Sequence, residues 1–167
     1  MIKKNLYILF IFCSFYAFSQ HEKCTSIYLI RHAEKVRDNP ENNNPHLNSK
    51  GLLRADKWTD VLRHIKFDKI FSTNLNRTLE TAKPLSKTND LKVIIYSPSK
   101  DYYERFIEQN KGKTILIVGH SNTTPLFVNS LIENDSYKDI KDNNNGNLYY
   151  VHKCGINSSF HVLYYIN

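Results

Sequence analysis

Three short segments of this sequence place an arginine or a histidine where a phosphate group could be bound. They are Arg31-His32 after the apolar run 26–30, Arg77 after a shorter run at 69–72, and Gly119-His120 after the apolar run 114–118. Apolar runs of this length are typical of buried strands, and open α/β sheets bind ligands at the carboxyl ends of their strands. The pattern therefore predicts an anion site at one edge of a sheet.

The residue types in these segments suggest a separate role for each in phosphoryl transfer. A phosphoryl group in transit needs fixed positive donors around its oxygens and a nucleophile in line with the leaving group. We expect His32 to be the nucleophile, because nearby guanidinium groups disfavour a further positive charge and keep its imidazole neutral. Arg31 and Arg77 would clamp the phosphate with paired N–H groups. Gly119 lets the backbone pass close to a ligand, so that His120 can donate to the phosphate oxygens.

The rest of the chain alternates between strand and helix patterns. The predicted strands lie near 26–30, 69–72, 91–96 and 114–118, and the predicted helices near 49–65, 76–86, 101–110 and 124–132. Residues 148–153 and 160–166 predict a terminal hairpin. This alternation predicts an α/β fold, a three-layer α/β/α sandwich with a mostly parallel central sheet.

Two details of the helices follow from single residues. Asn48 or Ser49 can cap the first helix, in which Leu52 begins an apolar series at helical spacing that continues through Trp58. Pro84 falls near the end of the second helix and should kink it or end it early, because proline lacks the backbone N–H.

The beginning of the chain has the pattern of a secretory signal peptide. Two lysines precede the apolar run 6–18, and the small residues Ala17 and Ser19 stand at the third and first positions before Gln20. The run is short for a membrane span, and an uncleaved anchor is the alternative. We therefore divide the chain into a signal peptide, 1–19, and one domain, 20–167. The domain would be exported, and periplasmic or secreted after cleavage near Ser19/Gln20.

Composition and charge narrow the class of partner. A chain of 167 residues with 41% hydrophobic content suits one ordinary domain. Loss of the two leader lysines lowers the formal net charge from +7 to +5, which favours anionic substrates. Basic residues form no long run and are not interleaved with aromatic clusters, so we expect no nucleic acid. Membrane contact is expected only transiently, through the signal peptide.

Cysteines and the remaining histidines are less informative. Cys24 and Cys154 remain after the leader, and an even count in an exported chain invites a disulfide. Both could equally be buried small hydrophobic residues. The histidines outside the three segments lack the spacing of metal ligands: His46, His64, His152 and His161. We expect no metal and no cofactor.

Taken together, the segments resemble the histidine phosphatase superfamily. The residues that carry the resemblance are Arg-His-Ala-Glu-Lys at 31–35, Ser-Thr-Asn-Leu-Asn-Arg-Thr-Leu-Glu-Thr-Ala at 72–82 and Gly-His-Ser-Asn at 119–122. The resemblance covers roughly 26–166 and points to a short bacterial branch that is similar to phosphohistidine phosphatases. It implies a phosphoglycerate-mutase-like fold and a metal-independent phosphatase that forms a phosphohistidine on His32.

Other positions carry over from the family less directly. Ser121 and Asn122 follow the second histidine at a helix start, where they could bind phosphate or cap the helix. Larger members supply a general acid from the segment after the third strand, which makes Asp101 and Glu104 candidates here. The shortest members lack a clear acid, because a phosphoramidate leaving group needs less help.

The function implied is hydrolysis of a small phosphorylated substrate or of a phosphohistidine-bearing protein. One alternative is a phosphotransferase of the phosphoglycerate-mutase type, which must exclude water by closing segments over its site. The connection from the second to the fourth predicted strand is brief, and export would remove the chain from glycolysis, so hydrolysis is favoured. Another alternative is a catalytically weak protein of the same fold that only binds a phosphate ligand.

Overall fold

The computed structural model of the protein describes residues 23–155 and 158–166, and the predicted signal peptide lies outside them. The strands are β1 (Thr25–Arg31), β2 (Lys69–Ser72), β3 (Val93–Ile95), β4 (Thr114–Gly119), β5 (Asn147–Cys154) and β6 (Ser158–Tyr165). The helices are α1 (Ser49–Leu62), α2 (Asn76–Thr88), α3 (Lys100–Gln109) and α4 (Thr123–Ile132). The strand order is β3-β2-β4-β1-β5-β6. The first four strands in that order run parallel, and β5 and β6 form an antiparallel hairpin.

Helices cover both faces of the sheet, as the sequence predicts. Successive side chains of a strand point to opposite faces, so β1 contributes to two cores. Leu29 packs on one face in a cluster with Phe127 of α4. Ile30 packs on the other with Trp58 of α1 and Leu85 of α2. The chain therefore has the three-layer α/β/α architecture with a terminal hairpin.

Strand pairing brings the predicted site residues to one edge. In the parallel register of β1 and β4, Arg31 lies opposite Gly119, so His32 and His120 leave the sheet side by side. The carboxyl end of β2 reaches the same edge, because Ser72 lies opposite Val118. From there a short turn enters α2, whose first turn carries Arg77.

The start of α1 packs directly on the loop that follows His32. Asn48 is the N-cap, and its side chain accepts a hydrogen bond from the Gly51 backbone N–H at 2.9 Å. A Cβ atom on Gly51 would overlap the carbonyl oxygen of Glu34. Glycine at this position therefore lets the helix approach the loop at backbone distance.

Two helix details differ from expectation. Of the two effects predicted for Pro84, a kink or an early end of α2, the early end is wrong, because the helix continues to Thr88. Leu85, which is 1% exposed, anchors the last turn in the core. Leu52 does not join the buried face of α1 and is 52% exposed. Gly51 takes the buried position beside it, since only a residue without a side chain fits against the loop.

Cys24 and Cys154 form a disulfide. The bond joins the residue before β1 to the last residue of β5, at the end of the sheet opposite Arg31. The sequence left open whether these cysteines pair or are separately buried, and the structure shows that they pair. Within residues 23–155 and 158–166, no helix combines the length and apolar character needed to cross a bilayer.

Candidate active site

A cavity of about 440 Å³ lies at the carboxyl edge of the sheet. Its walls include six of the eight site residues expected from sequence: Arg31, His32, Arg77, His120, Ser121 and Asn122. Further wall residues were not predicted: Lys35, Arg37, Leu75, Thr123 and Asp142. The imidazole rings of His32 and His120 lie 5.5 Å apart, centroid to centroid.

His32 is held with one ring nitrogen free to act as a nucleophile. Its side chain is almost fully buried, and Nδ1 lies 2.7 Å from the carbonyl oxygen of Ala33. A carbonyl oxygen can only accept, so Nδ1 carries the proton and Nε2 keeps its lone pair. Burial, with a smaller effect from nearby Arg31, lowers the pKa of His32 to about 3. The imidazole is therefore neutral at neutral pH.

Buried polar groups from two other segments fix the backbone around His32. Asn145 Nδ2 donates to the His32 carbonyl oxygen at 2.8 Å, and the Ala33 N–H donates to Thr81 Oγ1 at 2.9 Å. The Thr81 hydroxyl in turn donates to the backbone carbonyl of Arg77 at 2.7 Å. These bonds connect the loop that follows His32 to helix α2, which carries Arg77. Sequence reasoning missed both side chains, although Thr81 lies within the quoted motif.

Arg31 is buried, and most of its donors are already engaged. Nη1 lies 3.0 Å from each of three carbonyl oxygens, those of Lys141, Asp142 and Asn144. Nη2 donates to Asp142 Oδ1 at 2.9 Å. These bonds fix the plane of the guanidinium group before any ligand binds.

The Nε–H groups of Arg31 and Arg77 are buried and have no hydrogen-bond partner among the described residues. Arg77 donates from Nη1 to the Asn43 carbonyl oxygen at 3.3 Å. A buried donor without a partner costs about 1–3 kcal/mol. Both arginines line the cavity that holds His32, and their guanidinium groups are suited to an anion bound there.

His120 is oriented by a chain of hydroxyl groups. Its Nε2 lies 2.8 Å from Thr73 Oγ1, which lies 2.9 Å from Thr78 Oγ1. Thr78 Oγ1 is also 2.9 Å from two carbonyl oxygens, which only accept. Thr78 therefore donates to a carbonyl and accepts from Thr73, and Thr73 accepts from His120 Nε2–H.

The protonation of His120 follows from this chain and from its surroundings. Burial, and then Arg77 and Arg31, lower the pKa of His120 to about 4. The neutral ring keeps its proton on Nε2, so donation to a phosphate oxygen requires a proton on Nδ1 as well. A bound phosphate dianion would offset the arginine charges and raise this pKa.

Ser121 and Asn122 lie in the cavity wall just before α4. Asn122 occupies the N-cap position, but its side chain makes no capping hydrogen bond. The Thr123 hydroxyl instead accepts from the His120 backbone N–H at 3.2 Å. This arrangement favours a ligand-facing role for Asn122 over a capping role.

The predicted acid candidates lie outside this cavity. Asp101 is exposed in the first turn of α3. Glu104 faces a separate groove between α3 and α4, and one of its carboxylate oxygens lies 3.8 Å from Lys100 Nζ.

Asp142 is the one carboxylate among the described residues of the cavity wall, and sequence reasoning missed it. Hydrogen bonds from Arg37 and Arg31 hold the pKa of Asp142 at about 2. At neutral pH this side chain is a carboxylate and has no proton to donate.

One group of potential metal ligands lies at the other end of β1. The sulfurs of Cys24 and Cys154 and a ring nitrogen of His152 are all within 4.8 Å of one another. Both sulfurs are joined in the disulfide. The cluster is separate from the cavity that holds His32.

Comparison with protein families supports the resemblance found in the sequence. The model of the histidine phosphatase superfamily, branch 1, matches residues 27–98, a span that includes Arg31, His32 and Arg77. No curated protein sequence matches this chain.

Solved structures match over most of the chain. A protein from Agrobacterium tumefaciens assigned as the phosphohistidine phosphatase SixA is 17% identical, with a TM-score of 0.64 over 83% of this chain and 97% of that one. A mycobacterial glucosyl-3-phosphoglycerate phosphatase is 11% identical, with a TM-score of 0.62 over 77% and 90%. A phosphoglycerate mutase from Bacillus anthracis is 14% identical, with a TM-score of 0.61 over 87% and 94%. These matches confirm the phosphoglycerate-mutase-like fold.

Proposed function

We propose that this chain is an exported phosphatase that hydrolyses its substrate through a phosphohistidine on His32 and without a metal ion. One observation carries the proposal. His32, neutral and with Nε2 unprotonated, lines the same cavity as Arg31 and Arg77, whose buried Nε–H groups have no partner among the described residues. The family match and the phosphatases among the structural neighbours agree with this activity.

In the first step, His32 Nε2 attacks phosphorus while the bond to the leaving group breaks. The positive charge that develops on the ring is shared with Nδ1–H, which already donates to the Ala33 carbonyl oxygen. Arg31 and Arg77 donate to the phosphoryl oxygens, where negative charge accumulates in the transition state. The fixed guanidinium plane of Arg31 means that little reorganisation is needed.

In the second step, a water molecule attacks phosphorus and the bond to Nε2 breaks. The water proton passes to solvent or to the departing phosphate, and His32 returns to its neutral form. Arg37, Asn122 and Asp142 at the cavity wall are exposed, so water can reach this site. An accessible intermediate favours hydrolysis over transfer to a second substrate.

The protonation states point to substrates with good leaving groups. The cavity carboxylate, Asp142, is ionised, and the predicted acids Asp101 and Glu104 lie elsewhere. A leaving group that departs without strong acid assistance is therefore favoured. Phosphohistidine and other phosphoramidates, and aryl phosphates, meet this requirement.

Export is the second part of the proposal. It is supported by the basic start, the apolar run and the small residues before Gln20, and by a disulfide within the domain. The exported protein is expected to begin at Gln20, which mass spectrometry of the purified periplasmic or secreted material would show. Recovery of an intact chain that begins at Met1 would contradict the cleavage.

Steady-state assays test the phosphatase activity itself. The mature chain, 20–167, should hydrolyse 4-nitrophenyl phosphate and phosphohistidine in the presence of a metal chelator. Arg77→Met should raise KM and lower kcat, since it removes a donor to the transferring group. Vanadate should inhibit competitively.

Lys92→Met provides the control, because Lys92 is exposed beside the amino end of β3, away from the cavity. Lys92→Met should leave both KM and kcat unchanged. Activity that disappears with chelator and returns with a divalent ion would contradict the proposal. Transfer to an added alcohol in preference to water would instead favour the phosphotransferase alternative.

A further inference from the structure

A groove of about 600 Å³ adjoins the cavity that holds His32. Three residues line both spaces and mark the boundary between them: Lys35, Arg37 and Asp142. Beyond this boundary, the groove is lined by residues that include Glu34, Asn48 and Lys50. Because Lys35 also lines the cavity that holds His32, the leaving group of a substrate whose phosphoryl group lies beside His32 can reach Lys35.

Lys35 is held at this boundary by its backbone. It forms an antiparallel bridge with Leu47, and its carbonyl oxygen accepts from Asn48 Nδ2 at 3.3 Å. The next residue, Val36, donates its N–H to the His46 carbonyl oxygen at 2.9 Å. These bonds fix the point from which the lysine side chain extends.

The Lys35 ammonium group has no hydrogen bond or ion pair in the described part of the chain, although the residue is half-buried. Its neighbours differ in this respect. Arg37 pairs through two nitrogens with Asp142, and Lys50 lies 3.6 Å from a carboxylate oxygen of Glu34. A half-buried cation without a partner is suited to a ligand anion.

The charge of the cavity also exceeds what one phosphate group needs. Four cationic side chains and one carboxylate line it: Arg31, Lys35, Arg37, Arg77 and Asp142. A bound phosphate dianion would leave a positive charge in excess. Burial lowers the pKa of Lys35 most, nearby Arg77 and Arg37 lower it further, and Asp142 acts in the opposite direction.

We propose that Lys35 binds a second anionic group of the substrate, a carboxylate or a second phosphoryl group carried by the leaving group. The proposal rests on the phosphatase function and narrows its substrate class to phosphorylated compounds with two anionic centres. The ammonium group discriminates by charge, since a lysine is a compact point charge rather than a planar fork. Arg31 and Arg77 hold the phosphoryl group that is transferred.

Matched aryl phosphates test whether the enzyme prefers a substrate with a second anionic group. The probes are 4-carboxyphenyl phosphate, its neutral isostere 4-carbamoylphenyl phosphate, and 1,4-phenylene bisphosphate. The carbamoyl group withdraws electrons at least as strongly as the carboxylate, so leaving-group chemistry alone does not favour the anionic probe. We expect kcat/KM to be about tenfold higher for the carboxylate or the bisphosphate than for the amide. The larger of the two values identifies the kind of anion.

Lys35→Met should lower that ratio to about one, because it removes the charge and keeps much of the length of the side chain. Lys92→Met, the same change at a distant exposed site, should leave the ratio intact. A ratio near one in the unmodified protein would overturn the proposal. An equal loss on all three probes in Lys35→Met would also overturn it, since Lys35 would then act only on the transferred phosphoryl group.

Binding separates this proposal from the phosphatase function. If no probe is hydrolysed, the phosphatase function fails. Calorimetry with 4-phosphonobenzoate and 4-carbamoylphenylphosphonate, which cannot be hydrolysed, still tests the subsite. Preference for the carboxylate that Lys35→Met abolishes would support a role for Lys35, and equal affinities would refute it.

Discussion

The reactivity of the site depends on where single protons reside. The Ala33 carbonyl oxygen accepts the His32 Nδ1–H, and Thr73 accepts the His120 Nε2–H. The two histidines therefore present different nitrogens to their surroundings, although they lie side by side. Burial and the two arginines keep both rings neutral. In the proposed reaction, His32 offers a lone pair to phosphorus while His120 can accept a proton as charge develops.

The low pKa values are directly measurable. NMR titration should place the pKa of His32 at about 3 and that of His120 at about 4. Both values lie below the unfolded value of about 6.5. At pH values between the folded and unfolded pKa of each histidine, the unfolded chain therefore binds more protons than the folded chain.

The free energy of unfolding should accordingly fall as the pH drops from about 6.5 towards 4. Denaturation of His32→Gln and His120→Gln at several pH values should show a shallower dependence than the unmodified protein. Titration of both rings near pH 6.5 in the folded protein would contradict this account of the site.

Thr73 should act on catalysis only through His120. Thr73→Val removes the hydroxyl that accepts from Nε2–H and keeps the shape of the side chain, so we expect kcat to fall about tenfold with little change in KM. Thr88→Val is the control, since the exposed Thr88 hydroxyl donates to the carbonyl oxygen of Pro84 in the same helix and lies away from the cavity. A proportionate rise in KM would indicate instead that Thr73 contacts the substrate.

At the scale of elements, the site depends on how closely α1 approaches the loop after β1. Gly51→Ala places a methyl group against the Glu34 carbonyl oxygen, and the backbone must shift to make room. We expect a loss of about 1–3 kcal/mol in the free energy of unfolding and a fall in kcat, because Glu34 lies two residues from His32. Denaturant titration and the phosphatase assay measure the two effects.

Leu53→Ala on the same helix is the comparison for Gly51→Ala. Leu53 is 70% exposed, so its truncation should change stability by less than about 0.5 kcal/mol. Equal losses in the free energy of unfolding for the two substitutions would show that the close approach of α1 does not stabilise the loop.

The elements that carry the chemistry could be predicted because their signals are local. A β-branched run such as 114–118, followed by Gly119 and His120, indicates a buried strand that ends at a ligand site. Parallel pairing of the two strands then places His120 beside His32, so this contact can be predicted from the strands alone. The cap at Asn48 follows in the same way from its side-chain chemistry.

The residues that sequence reasoning missed are those whose roles depend on tertiary contacts. Asp142 and Asn145 stand in an Asn-rich loop typical of turns, yet one pairs with Arg31 and the other holds the His32 carbonyl. Thr73 likewise gives no sign of its contact with His120, which lies far along the chain. At Pro84 a local signal is present but misleading. The core packing of the neighbouring Leu85 outweighs the tendency of proline to end the helix.

On the scale of the whole molecule, the disulfide and the candidate site lie at opposite ends of β1. The strand spans Thr25–Arg31, a length of about 20 Å at ~3.3 Å per residue. Cys24 and Cys154 are 130 residues apart in sequence, so the bond restricts a large part of the unfolded chain. The cross-link is therefore expected to support stability rather than chemistry.

Removal of the disulfide tests this separation. Cys24→Ser with Cys154→Ser should lower the free energy of unfolding by about 2–5 kcal/mol, measured by denaturant titration. The phosphatase kcat should be unchanged at temperatures where the variant remains folded. A selective loss of kcat in the folded variant would show that the two ends of the sheet are coupled.

The central claim is that His32 receives the phosphoryl group, and rapid quenching with labelled substrate tests it most directly. Millisecond mixing of residues 20–167 with labelled phosphohistidine or aryl phosphate should give an acid-labile, base-stable phosphoenzyme, which mass spectrometry should locate at His32. His120→Ala should form the same species more slowly. His32→Ala should lose both label and turnover. Label on another residue in His32→Ala, with turnover near that of the unmodified protein, would contradict the account.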